Sequence, residues 1–145
     1  MRRESYRVDN VMSVEFLNKS ENESFARIAA AAFTMPLNPT AGEIAEIKTA
    51  VSEAVTNAII HGYENSVGMV KMEGKIHGRT VEFTISDDGW GIADVEEARQ
   101  PLFTGKPDME RSGMGFSIME SFMDRVEIKS RLGEGTRVKL TKTID

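Results

Sequence analysis

Hydrophobic residues recur at alternate positions between Val8 and Phe16, through Met12 and Val14 and broken at Asn10, the period of a strand with one buried face. Ser20 follows, with Glu23 three places on. This capping-box spacing predicts a helix over SENESFARIAAAAF that runs to about Met35 and stops before Pro36. Asn38 and Pro39 mark a turn, and Thr40 with Glu43 repeats the capping spacing at the head of a longer helix that ends near Gly62. ENSVG supplies the loop after it. A run from Met69 to His77 is followed by one from Thr80 to Ser86 in which Val81, Phe83 and Ile85 alternate. Gly78 and Arg79 between them suit a tight hairpin turn with glycine in the first central position.

From Asp87 to Gly115 the periodicity is lost, apart from a helical turn around Val95 to Arg99, and a long irregular segment of this kind is usually functional. Phe116 to Met123 then reads as a short helix, and Val126 to Arg131 and Thr136 to Leu140 read as strands joined through LGEG. The whole predicts an α+β fold in two layers, with helices stacked on one face of a mixed, mainly antiparallel sheet.

Composition narrows the function classes. The chain has 145 residues, 40% of them hydrophobic, which suits one domain spanning 1–145 with a real core. Its 23 acidic residues outweigh 18 basic ones, a net charge of -5 that argues against direct nucleic-acid binding. The absence of cysteine excludes a disulfide framework and any thiolate metal site. The arginines of MRRESYRVDN lead into no apolar core of a secretion signal, and no segment has the length to span a bilayer. A soluble cytoplasmic protein without membrane partners is expected.

Candidate chemistry begins in the second helix, at SEAVTNAIIHGY. At about 100° per residue, Ile44, Ile47, Val51, Val55, Ala58 and Ile59 form one apolar arc, while Glu53, Asn57 and His61 line up away from its centre. A solvated polar face accounts for any one of them. A carboxylate and an amide one turn apart also offer oxygen ligands to a hard cation such as Mg²⁺, which typically keeps waters and phosphate oxygens as well. The amide oxygen can hold the metal while the carboxylate handles a proton. His61 reads two ways, as a phosphate or metal neighbour or as a polar residue that favours the helix C-terminus.

Two glycine-rich stretches extend the pattern. DDGWGI sets Asp87 at a strand end before Gly89 and Gly91, placing an acceptor suited to the exocyclic amine of adenine where backbone can approach closely. An ordinary Asp-Gly turn has the same appearance, and Trp90 between the glycines reads as a ring that caps a pocket or, in preference, as local packing. RSGMGFSI puts Gly113 and Gly115 where loop passes into helix, so that free N–H groups and the helix dipole can receive phosphate. A permissive turn would also use them. Lys106 and Arg111 lie on the same loop, within reach of phosphate oxygens or facing solvent. Each signal is weak by itself; their order along the chain describes one nucleotide site.

That order resembles the GHKL ATP-binding fold of gyrase, the Hsp90 chaperone, sensor histidine kinases and mismatch-repair ATPases. More narrowly, SEAVTNAIIHGY and EEARQPLFTGKPDMERSGMGFSIMESFMD resemble the sporulation anti-sigma F factor family, serine protein kinases of endospore-forming bacteria. The resemblance covers nearly all of the chain beyond about residue 20. It implies that Glu53 is the general base, Asn57 the Mg²⁺ ligand and Asp87 the reader of adenine. It further implies that Gly89 and Gly91 form the first glycine box. Arg111, Gly113, Gly115 and the nearby lid residues Thr104, Lys106, Ser112 and Met114 match its phosphate-binding part. The lid departs from the family at Gly105, where a second threonine is expected, and Ala93 stands where proline is expected.

The implied activity is transfer of the ATP phosphoryl group to a serine of an anti-anti-sigma protein; in the other state, with ATP or ADP bound, a homodimer holds the sigma factor. Glu23 and Arg27 on the first helix are the candidate partner contacts, although the capping box already explains Glu23. Three alternatives stay open: a histidine-kinase catalytic domain, a slow ATPase, and a binding module in which nucleotide only sets conformation. The first of these lacks room for an acceptor helix pair before Ser20.

Overall fold

Alternating residues build the sheet and carry the helices on one of its faces. The computed structural model describes residues 8–62, 66–89 and 115–145. In chain order these form β1 (Asn10–Leu17), α1 (Asn22–Thr34), a 3-10 turn at Met35–Leu37, α2 (Ala41–Asn57), a π-helical turn at Ala58–Gly62 and β2 (Met69–His77). β3 (Thr80–Asp87), α3 (Gly115–Phe122), β4 (Arg125–Ser130) and β5 (Thr136–Thr143) follow. The helical turn expected at Val95 to Arg99 lies outside the described residues, as do Trp90, Ala93 and Gly105.

The strands lie in the order β1-β2-β3-β5-β4, and every pairing is antiparallel. The expected mixture of parallel pairs is therefore not found among the described residues. The connection through α3 does bring β4 back in the same direction as β3, but β5 returns between them and pairs with both. Val70, Met72, Val81, Phe83, Ile85, Val138 and Leu140 project to the helix side and are buried with Ile47, Ala50, Val51, Ala54, Val55 and Met119. The other face is charged, with Glu73, Lys75, Glu82, Glu127, Lys129, Arg137 and Lys139 around a shallow depression. Lys139 lies 3.6 Å from Glu82 there, a cross-strand pair suited to a water-facing sheet.

Local signals set most element ends. Thr40 Oγ1 accepts from the Glu43 backbone N–H at 3.1 Å and the Glu43 carboxylate accepts from Thr40 N–H at 2.9 Å, the reciprocal capping box that starts α2. α1 ends at Thr34, and the turn through Pro36 closes on Asn38, whose φ of 53° lies in the left-handed region. Gly78, with φ 60°, takes the first central position of the β2–β3 hairpin while Arg79 stays at negative φ, the type II′ arrangement.

The capping box expected at Ser20 and Glu23 does not form. Chain reversal at Ser20 and Glu21 moves the helix start to Asn22, leaving Glu21 in an αR conformation as a cap without a side-chain bond. Glu23 instead accepts from Arg27 one turn on at 2.8 Å, a charge-assisted bond that replaces a reach back to a backbone N–H. β1 likewise starts later than its apolar pattern, at Asn10, and leaves Val8 exposed.

Candidate functional site

α2 sets the chemistry through its twist. Ile47, Ala50, Val51, Ala54 and Val55 are buried on its core side, so Glu53 and Asn57 fall together along a half-buried edge. α3 packs along α2, and its first residue arrives at that edge. A Cβ placed on Gly115 would stand 3.3 Å from Glu53 Oε1, 3.3 Å from Asn57 Nδ2 and 3.7 Å from Asn57 Oδ1. The second glycine of the Gly-x-Gly pair is thereby seated against the carboxylate and amide, with the N-terminal N–H groups of an eight-residue helix beside them.

The helix geometry changes directly after Asn57. The α-helix gives way to the π-helical turn Ala58–Gly62, which packs against β3. Such widened turns recur at functional sites. His61 falls in this turn, and its side chain lies outside the described residues.

Asp87 closes β3 and is 7% exposed. Its Oδ1 accepts from the Gly89 backbone N–H at 2.9 Å, and the Thr136 backbone N–H also donates to it. Burial raises its pKa above the ordinary 3.8, with those two N–H groups pulling in the opposite direction. The carboxylate is thus held by backbone N–H groups of the turn after β3 and of the first residue of β5, in surroundings that penalise its charge.

This arrangement fixes a sign. With the folded pKa raised, the folded state holds the proton more tightly than the unfolded chain does. The stability that Asp87 contributes is full below the ordinary pKa and is lost as pH rises through the raised value. Asp87→Asn is therefore expected to raise the melting temperature relative to the parent protein at neutral pH more than in acid. Thermal melts between about pH 4 and pH 8 check this, and a variant that loses as much stability at neutral pH as in acid would contradict it.

Reading the sequence missed two residues here. Gly135, in the LGEG connection, has φ 87° and packs on the Asp87 carbonyl and the Asp88 Cα, while Thr136 is the register partner of Asp87. The only signal was the glycine preceding the last strand, and it points nowhere until β5 is known to lie beside β3.

Among the candidate residues, the structure brings together Glu53, Asn57 and Gly115 as one group and Asp87 and Gly89 as another. Gly91, Thr104, Lys106, Arg111, Ser112, Gly113 and Met114 lie outside the described residues. Among the described residues no group of three or more His, Cys, Asp or Glu side chains gathers in metal-binding fashion. Glu23 and Arg27 pair within α1, and Arg27 also reaches Ser52 Oγ at 3.3 Å, next to Glu53 on α2.

Residues 18–142 match the histidine kinase-like ATPase domain family. An anti-sigma F factor of Anoxybacillus flavithermus is 61% identical over 134 residues, covering 92% of each chain. One from Clostridium kluyveri is 53% identical over 137 residues, 94% of this chain and 96% of its own. In three dimensions the chain is similar to the RsbU and RsbW domains of a Mycobacterium tuberculosis protein, with TM-score 0.68 and 19% identity. That likeness spans 93% of this chain and 32% of the other. The catalytic domain of the histidine kinase ThkA gives TM-score 0.58 at 18% identity, covering 92% and 96%. These two likenesses are of fold.

Proposed function

Because this chain belongs to the anti-sigma F factor family, within the histidine kinase-like ATPase domains, we propose that it is a cytoplasmic anti-sigma factor and serine kinase. It holds a sporulation sigma factor and, with Mg-ATP, phosphorylates a serine of an anti-anti-sigma protein. The observation that carries the reading is the seat of Gly115 against Glu53 Oε1 and the Asn57 amide. It aligns a proton acceptor, an oxygen ligand and the start of a helix, the three things that phosphoryl transfer asks of a protein.

Bound Mg-ATP supplies the phosphoryl group and the cation that neutralises its charge. Asn57 would hold the cation through its amide oxygen, and Gly115 lies against that amide. Glu53 would accept the proton of the incoming serine hydroxyl as its oxygen bonds to the γ-phosphorus and ADP leaves with the bridging oxygen. Asp87 orients the adenine through its amine, with Gly89 and Thr136 keeping the carboxylate in place. Gly91, Thr104, Lys106, Arg111, Ser112, Gly113 and Met114 complete the nucleotide contacts in this reading.

Exposed Val11 on β1, together with Phe25 and Ile28 on α1 and Met35 just after it, supports a homodimer through this edge. Arg27 serves the partner by exchanging Glu23 for a carboxylate on the other protein.

Incubation with labelled ATP and a purified anti-anti-sigma protein tests the activity. Acid-stable phosphoserine on the partner is expected. Acid-labile phosphohistidine, or release of phosphate alone, would overturn the serine-kinase reading in favour of the other enzymes of this fold. Sigma-factor capture without any transfer would leave a binding module.

A further inference from the structure

The inner face of β5 contains one residue that its pattern does not predict. Val138, Leu140 and Ile144 alternate toward the helices, and position 142 in the same row is a lysine that is 8% exposed. Lys142 Nζ donates to the Phe122 carbonyl at 2.8 Å and lies 3.0 Å from Glu46 Oε1. Phe122 is the last residue of α3, and Glu46 lies on α2 seven residues before Glu53. At its opposite end α3 begins with Gly115, against Glu53 and Asn57. The two helices of the candidate site are thus joined at both ends of α3, once by packing and once through a cation from the sheet.

Packing alone does not call for a cation at this position. An apolar side chain would continue the row, and an ion pair whose carboxylate is 41% exposed adds little to stability. What the lysine adds is direction. Its ammonium meets the C-terminal carbonyl end of α3, where the helix dipole favours positive charge, and the carboxylate of α2 holds that ammonium from the other side.

We propose that Lys142 is a positioning residue for the nucleotide. By fixing the C-terminal end of α3 to α2, it sets the line along which the N–H groups at Gly115 meet the phosphates beside Asn57. This rests on the reading of the α3 N-terminus as the phosphate site. Lys142 acts through α3: among the described residues its ammonium bonds the Phe122 carbonyl and pairs with Glu46, with Glu43 also within its electrostatic reach.

The test uses Lys142→Met with Glu46→Leu, which removes the pair without stranding a charge, beside Lys142→Arg, which keeps a cation. Equilibrium titration with a fluorescent ATP analogue is expected to show affinity about tenfold weaker in the double variant, at a melting temperature close to that of the parent protein. Lys142→Arg should stay within about threefold of the parent protein. Should the double variant fold poorly, Glu46→Gln carries the test. Its carboxamide holds the ammonium less firmly, and at least about threefold weaker binding is expected. Parent-like affinity in the folded double variant, or in Glu46→Gln if that variant stands in, overturns the proposal and leaves Lys142 a stability residue. Failure of the parent protein itself to bind the analogue overturns the phosphate-site reading instead.

Discussion

Glu53→Ala is expected to abolish detectable phosphoserine formation on the anti-anti-sigma partner, at least about a hundredfold loss, while ATP affinity stays within about threefold. The separation follows from position. Glu53 stands one turn before Asn57, on the same edge of α2, so removing its carboxylate leaves the amide oxygen and the α3 N-terminus in place. Truncation also opens space opposite Gly115 and creates no clash there. A positioned base contributes only as the hydroxyl loses its proton, so its loss falls on turnover and spares ground-state binding. Single-turnover transfer and equilibrium nucleotide titration on the same preparation check both halves. If the two collapse together, Glu53 holds the metal or the fold and is not the base.

Gly135→Ala is expected to cost roughly 3 kcal/mol or more, a fall in melting temperature of about 10 °C for a chain of this length. Two causes act together. At φ 87° an L-residue is strained, and the added Cβ would run into the carbonyl of Asp87 and the Cα of Asp88, backbone that no side-chain rotation can clear. Nor can the turn back away easily, because the Gly135 carbonyl accepts from Ser130 Oγ at 3.0 Å and from the Arg131 backbone N–H at 3.4 Å. Any shift that relieves the overlap would also move Thr136 and the carboxylate that it holds. Nucleotide affinity of the folded fraction should fall with stability. Denaturant unfolding, with titration below the transition, measures the two separately, and a variant as stable as the parent protein would contradict the geometry.

Glu53 and Asn57 are legible as a pair in the sequence because their relation lies within one helix, where spacing by four fixes a common edge. The same local character makes the Thr40 cap and the Gly78 hairpin readable. The Ser20 cap fails although its residues have the same spacing. There the outcome depends on a turn ahead of the helix and on Arg27 competing for the Glu23 carboxylate.

Sequence alone determined the alternation of elements, the two-layer class and the polar edge of α2, all consequences of short-range periodicity and capping. Tertiary structure alone decided that β5 lies between β3 and β4, which puts Gly135 and Thr136 against Asp87, and that α3 lays Gly115 on Glu53 and Asn57. It also turned Lys142, a break in an apolar row, into the tie between two helices. These contacts join residues tens of positions apart, and their energies depend on strand order and helix packing, which spacing along a chain does not encode.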